Sequence, residues 1–181
     1  KTAVFISGKG SNLKNLINFS KSKKSPIKIS LIISNTNKAK GLKYSNKFKI
    51  KKKIIDFNNA QVDKKLLNIL KKKQIKFICL AGFMKILSKD FIKKFNGKII
   101  NIHPSLLPKY KGLNTHKKVI KNNDKYTGCT VHYVTPKLDS GKIIMQRKVK
   151  ILKKDTELSL AKKVLKKEHK LYPASIMKIF T

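Results

Sequence analysis

The sequence predicts a single α/β domain over residues 1–181, Rossmann-like, with a mostly parallel central sheet, helices on both faces and a mixed C-terminal part. Three observations predict it. Short apolar runs alternate with amphipathic stretches from the first residues onward. The run Ile75 to Ala81 is apolar almost throughout, as strands buried on both faces are. After Pro108 the alternation gives way to two longer runs flanking a polar turn. A chain of 181 residues that is 40% hydrophobic is ample for one packed core.

The elements follow in order. Thr2 to Ser7 is a first buried strand, and its apolar part is too short for the core of a signal peptide. Leu13, Leu16 and Ile17 recur at helical spacing. Ile27 to Ser34 is a second strand, opening after Pro26. A short helix covers Ala39 to Phe48, and Ile50 to Ile55 is a third strand. Val62, Leu66, Ile69 and Leu70 mark one face of a helix, and Ile75 to Ala81 follows as a strand. Ser88 is placed to cap a helix over Lys89 to Phe95. Ile99 to Ile102 is the next strand, and its end delivers His103 into a loop holding Pro104 and Pro108. A helix spans Thr115 to Lys121. Strands Thr127 to Thr135 and Lys142 to Val149 flank the turn Lys137 to Gly141. The last helix starts near Asp155 as its cap, and Pro173 interrupts or restarts it.

Lys and Arg number 45 against 8 Asp and Glu, a net charge of +37. Such a field attracts polyanions at low salt. Only Arg147 is an arginine, however, and specific phosphate and base contacts favour the planar guanidinium. The lysines also spread along the whole chain, so the excess reads as genome composition and no specific nucleic acid partner is expected. No apolar run reaches the roughly 20 residues of a membrane-spanning helix. Cys79 and Cys129 lie far apart in apolar stretches, which suits buried free thiols in a reducing cytoplasm. The histidines His103, His116, His132 and His169 show no ligand spacing, so no metal is expected.

Three segments carry chemistry. Ser7-Gly8-Lys9-Gly10-Ser11-Asn12 lies between the first strand and helix, where glycines and a helix N-terminus suit an anion. It lacks the Gly-Lys-Ser/Thr ending of a nucleotide loop, so a monophosphate fits better; an ordinary tight turn with Ser11 as cap is the alternative. Asn101 and His103 are two apart on an extended chain and share one side. There an amide can steady an oxyanion and an imidazole can move protons; a capping histidine is the alternative. Asp139 sits in a turn, where Asp is common for local hydrogen bonding. His132 could enter a pocket or be a satisfied structural histidine. Leu158, Ala161, Val164, Leu165 and Glu168 fall on one helical stripe, which puts the Glu168 acid on an inward face.

Taken together these motifs resemble the phosphoribosylglycinamide formyltransferase family. Ser7 to Leu13, Ala81 to Leu87, Asn101 to Pro108, and Leu138 to Gly141 occur in that family's order and spacing, across essentially the whole chain. The resemblance implies formyl transfer from 10-formyltetrahydrofolate to the amine of 5'-phosphoribosylglycinamide in purine synthesis. It implies that Asn101, His103 and Asp139 are catalytic. Gly10, Ser11 and Asn12 would hold the substrate phosphate, with Glu168 on the ribose hydroxyls. Met84, Lys85, Ile86 and Leu87 would line the folate pocket, with Asn101 and the loop Thr135, Pro136, Lys137, Leu138 and Asp139. The N-terminal half would thus bind the ribonucleotide, and the C-terminal half would bind folate and carry the chemistry. A charge pair with Asp139 is expected to raise the proton affinity of His103. The chain departs from the family at Asn59 and Lys85, where arginine is usual. It also ends at Thr181, before a C-terminal extension found in many relatives. A monomer or a homodimer is expected.

Methionyl-tRNA formyltransferase resembles this chain around His103-Pro104-Ser105, but it carries a further tRNA-binding domain. A formyltetrahydrofolate hydrolase would carry an N-terminal regulatory domain. A basic nucleic-acid-binding protein would explain the charge and leave Asn101, His103 and Asp139 idle.

Overall fold

The computed structural model describes residues 1–181. Seven strands form one sheet: β1 (Thr2–Ile6), β2 (Ile29–Ser34), β3 (Lys51–Ile54), β4 (Phe77–Leu80), β5 (Lys98–His103), β6 (Tyr126–Tyr133) and β7 (Ile143–Lys150). Their order is β3-β2-β1-β4-β5-β6-β7. β1 pairs in parallel with β2 and β4, β2 pairs in parallel with β3, and β6 and β7 pair antiparallel. The helices are α1 (Ser11–Ser20), α2 (Lys43–Lys47), α3 (Val62–Lys72), α4 (Lys89–Lys94), α5 (Thr115–Lys121) and α6 (Glu157–Phe180). This is the mostly parallel α/β sheet with a mixed C-terminal part that the sequence predicts. None of the helices is long and apolar enough to cross a membrane. The chain divides into two compact units, Lys1–Ile100 and Asn101–Thr181, with the division inside β5.

In the N-terminal unit, every residue of β1 and β4 is buried, because each strand has a neighbour on both sides and apolar side chains on both faces. β2 begins at Ile29, two residues later than expected. Ile27 is buried before the strand pairing starts, so its apolarity marks core rather than strand. β3 is the sheet edge and is exposed throughout; its Lys51, Lys52 and Lys53 suit an edge that must not recruit another chain. The helix expected over residues 39–48 is a 3-10 turn, Lys40–Leu42, followed by the short α2. Ser88 caps α4 as predicted, its Oγ accepting from the Phe91 N–H at 2.9 Å.

In the C-terminal unit, α6 packs on β6 and β7 and touches α5. Its cap is Thr156, not Asp155: Thr156 Oγ1 accepts from Ser159 N–H at 3.2 Å while Ser159 Oγ accepts from Thr156 N–H at 3.0 Å. Asp155 instead takes Lys163 Nζ at 2.6 Å, the Leu152 N–H at 2.8 Å and Ser159 Oγ at 2.8 Å. Pro173 lies inside α6 without ending it. An interior proline costs about 3 kcal/mol. Leu171, Tyr172 and Ile176 are buried around it, each contributing about 1.5–3 kcal/mol, which outweighs that cost. The buried stripe of α6 is Leu160, Val164, Glu168, Leu171 and Ser175. The stripe the sequence predicts starts at Leu158, which is 67% exposed, and is rotated by part of a turn from the observed one. Its inference about Glu168 survives, because that carboxylate is buried.

Candidate active site

In the N-terminal unit, the loop after β1 turns on Gly10, whose φ of 74° lies in the left-handed region. A Cβ there would stand 2.6 Å from Gly41 Cα, so the two glycines permit a close backbone crossing. The Gly41 N–H donates to Gly8 O at 2.9 Å and locks that crossing. Gly10, not Ser11, is the cap of α1; Ser11 is the first helical residue, and no side-chain cap hydrogen bond is made. With no acid in the first turn, the helix dipole suits an anion there. Asn12 is buried beside them.

Ser7 joins this loop to the segment after β4. Its Oγ donates to Asn35 Oδ1 at 2.6 Å and accepts the Met84 N–H at 2.8 Å. Phe83 sits edge-on to Phe5 and Phe57, with ring centroids 5.4 and 5.0 Å away. That anchor leaves Met84 and Ile86 with exposed apolar side chains, while Leu87 is buried. Lys85 Nζ donates to Asn58 Oδ1 at 3.1 Å. Asn59 is engaged locally, its Oδ1 accepting the Gln61 N–H at 2.7 Å ahead of α3.

The C-terminal unit brings Asn101, His103 and Asp139 together. Asn101 and His103 lie two apart on β5, as their spacing predicts; the strand continues one residue past its expected end and includes His103. His103 Nδ1 stands 3.4 Å from Asp139 Oδ2, and both side chains are 7% exposed. His103 Nε2–H donates to the Tyr110 carbonyl at 2.8 Å. Both ring nitrogens therefore face oxygens. Asp139 is held from the backbone side as well, because Gly112 N–H donates to its Oδ2 at 2.8 Å. The turn carrying Asp139 closes on Gly141, where a Cβ would lie 1.8 Å from Tyr133 O. Within it Thr135 Oγ1 donates to Lys137 O and Ser140 Oγ to Leu138 O, while Pro136, Lys137 and Leu138 are exposed.

His132 completes the cluster, which the sequence left undecided. Its Nδ1–H donates to Tyr133 O at 2.8 Å, so in the neutral ring Nε2 carries the lone pair. Asn101 Nδ2 lies 3.3 Å from that nitrogen and donates one hydrogen to it, leaving its second for another acceptor. Asp139 Oδ1 is 3.5 Å from the same nitrogen. Asp139 is thus bracketed by two imidazoles. The alternation along β6 placed His132 with Thr130, but β6 is buried on both faces, so alternation could not tell which face holds a site.

Loop 104–108 is fixed from β6 and β7. Thr130 Oγ1 donates to Ser105 O at 2.7 Å and accepts the Leu107 N–H at 3.1 Å, and Gln146 Nε2 donates to Leu107 O at 2.8 Å.

Burial would raise the Asp139 carboxyl pKa. The His132 ring, the Gly112 N–H and the charges of both histidines outweigh it and hold the pKa at about 2. For His103 burial wins. It pushes the imidazole below its ordinary value against the pull of the Tyr110 carbonyl and Asp139, with His132 and Lys118 adding to the depression. The sequence-based expectation of a raised value is corrected here: Asp139 does pull it up, but an almost fully enclosed ring loses more by desolvation. Cys129 is pushed up to about 12 by burial and by the Glu168 charge, so it is an inert thiol. No group of three or more His, Cys, Asp or Glu side chains is placed to hold a metal ion.

The formyl transferase family model matches residues 1–176. Phosphoribosylglycinamide formyltransferase of Haemophilus influenzae is 40% identical over 185 residues, covering 100% of this chain and 87% of that protein. The trifunctional purine biosynthetic protein adenosine-3 of Gallus gallus is 42% identical across 97% of this chain, which spans only 18% of that longer protein. The crystal structure of phosphoribosylglycinamide formyltransferase from Bacillus halodurans superposes with a TM-score of 0.94 at 35% identity, covering 99% of this chain and 95% of that one.

Proposed function

The chain belongs to the phosphoribosylglycinamide formyltransferase family, and from that premise we propose that it moves the formyl group of 10-formyltetrahydrofolate onto the amine of 5'-phosphoribosylglycinamide. The observation that carries the reading is the 3.4 Å approach of His103 Nδ1 to Asp139 Oδ2, with Asn101 bonded to His132 alongside. The neutral amine attacks the formyl carbon, and a new C–N bond forms as the carbonyl electrons move onto oxygen. The free amide hydrogen of Asn101 meets that oxyanion. His103 has both nitrogens turned to protein oxygens, so it acts through charge and proton relay rather than by a direct bond to the oxyanion. Its depressed proton affinity makes the imidazolium give up a proton readily, and a water held by Asp139 and His103 carries it between the amine and the folate nitrogen. Collapse breaks the bond from carbon to the folate nitrogen, which takes up a proton as the amine gives one up. Asp139, low at about 2, stays ionised and stabilises the imidazolium while it exists.

The ligand roles follow the same reading. Gly10, Ser11 and Asn12 hold the phosphate at the N-terminus of α1, and the buried Glu168 accepts from ribose hydroxyls. Met84, Ile86 and Leu87 supply apolar contact to the pterin with Lys85 beside them, and Thr135, Pro136, Lys137 and Leu138 close the folate side. With Asn59 bonded to its own turn, nearby lysines are left to meet the folate carboxylates. The enzyme works in the cytoplasm on these small molecules, as a monomer or a homodimer. Incubation with both substrates while following folate absorbance tests the reaction. Turnover is expected with phosphoribosylglycinamide. Turnover only with charged methionyl-tRNA would reverse the choice of acceptor.

A further inference from the structure

We infer that Tyr110 and Asp124 are positioning residues that set the protonation of His103 through the Tyr110 backbone carbonyl. The consequence for turnover rests on the formyl-transfer reading of His103; the consequence for the imidazole does not. The Tyr110 carbonyl accepts His103 Nε2–H at 2.8 Å, yet Tyr110 itself has a φ of 57°, in the left-handed region. A bulky residue keeps that conformation only when its surroundings hold it.

The surroundings here are specific. Tyr110 OH donates to Asp124 Oδ2 at 2.6 Å and accepts Asn122 Nδ2–H at 2.7 Å. Asp124 Oδ1 accepts Lys109 Nζ at 2.8 Å, and Asp124 N–H donates to Val119 O at 3.0 Å, which ties the carboxylate to the end of α5. On the other side Ser105 Oγ donates to Lys109 O at 2.7 Å and reaches Tyr110 O at 3.3 Å. The Lys109 ammonium first, and then the Tyr110 hydroxyl, hold the Asp124 carboxyl below the usual carboxylate range, so the clamp stays charged. The segment is thus fastened at its side chains and at its backbone, and the carbonyl has one direction.

That direction has a chemical effect. A carbonyl against Nε2 requires the hydrogen there, which leaves Nδ1 to face Asp139. It also favours the imidazolium, because a charged ring donates more strongly. Around His103 stand Asp139 from the turn after β6, His132 from β6, and Lys118 and His116 from α5. Removing the Tyr110 hydroxyl alters none of those charges. It loosens the carbonyl by releasing the Tyr110 side chain from Asp124 and Asn122.

The test is Tyr110→Phe in the full chain, with the histidine rings followed by nitrogen NMR across pH and the His103 signals identified by their loss in His103→Ala. Expected in Tyr110→Phe are a lower His103 pKa than in the unaltered protein and a smaller share of the Nε2–H tautomer. The expected kcat is about tenfold lower with KM for both substrates unchanged, and the alkaline limb of the kcat profile, where the imidazolium is lost, moves to lower pH in step with the NMR titration. Asp124→Asn, which keeps the shape and drops the charge, is expected to move the ring in the same direction, and it serves if Tyr110→Phe melts early. An unchanged His103 titration and tautomer in both folded variants overturns the positioning role. A shifted imidazole with normal turnover in Tyr110→Phe, and in His103→Ala as well, supports the positioning and overturns instead the catalytic role of His103.

Discussion

At the scale of single residues, opposed forces meet on His103. Burial and the positive groups around it resist a second proton, while the Tyr110 carbonyl and Asp139 favour one. The pairing of Asn101 with His103 was legible, because two residues apart on an extended chain face one way whatever the tertiary fold. A catalytic role for Asp139 was suggested only by the family resemblance, since a turn aspartate looks the same whether or not a histidine stands opposite. The direction of the His103 shift was not legible at all, as it depends on how much protein covers the ring. For His132 the sequence leaves a pocket and a structural position open, and the structure puts it between Asn101 and Asp139. His132→Ala releases the Asn101 amide and removes one of the two rings on Asp139. A fall in kcat on the order of tenfold is expected from the lost alignment, measured as steady-state formyl transfer. An unchanged kcat would mean that Asn101 needs no partner.

At the scale of elements, neighbouring residues compete for one role. Asp155 and Thr156 are adjacent and both are good caps; the choice falls to Thr156 because Ser159 completes a reciprocal pair and Lys163 claims Asp155. Thr156→Ala is expected to cost about 1 kcal/mol in urea unfolding. Pro173 predicted a break, and burial on both sides of it carried the helix through. The turn after β6 depends on Gly141, whose missing side chain admits the Tyr133 carbonyl. Gly141→Ala is therefore expected to displace the turn that carries Asp139. Turnover should fall with stability, whereas a folded variant of normal kcat would show that Asp139 is held from elsewhere.

At the scale of the whole molecule, the alternation of strand and helix was legible because buried parallel strands announce themselves by composition. The edge strand β3, three lysines and an isoleucine, was recognised only by its flanks. An open groove of about 460 Å³ is lined by Lys1, Lys28, Lys49, Lys51, Lys72 and Lys73, and repulsion from Lys51 leads in pushing the Lys73 ammonium down. With a net charge of +37, added salt is expected to raise the melting temperature by screening. Acid should act in two stages. Burial depresses His103, His116 and His169 in the folded chain, so the unfolded chain binds their protons more readily. The stability they contribute is complete above about pH 6.5 and drains as pH falls below it. Asp139 and Asp155, both at about 2, contribute stability that is complete above about pH 3.9 and is lost on the way down to 2. Melting followed across pH checks both stages. The central claim, that His103 and Asp139 act as one unit in formyl transfer, is tested most directly by the turnover of His103→Ala, Asp139→Ala and the double variant, each confirmed folded by its melting curve. Losses on the order of 100-fold or more are expected in each single variant, with little further loss in the double. Near-normal turnover in either single variant would contradict it.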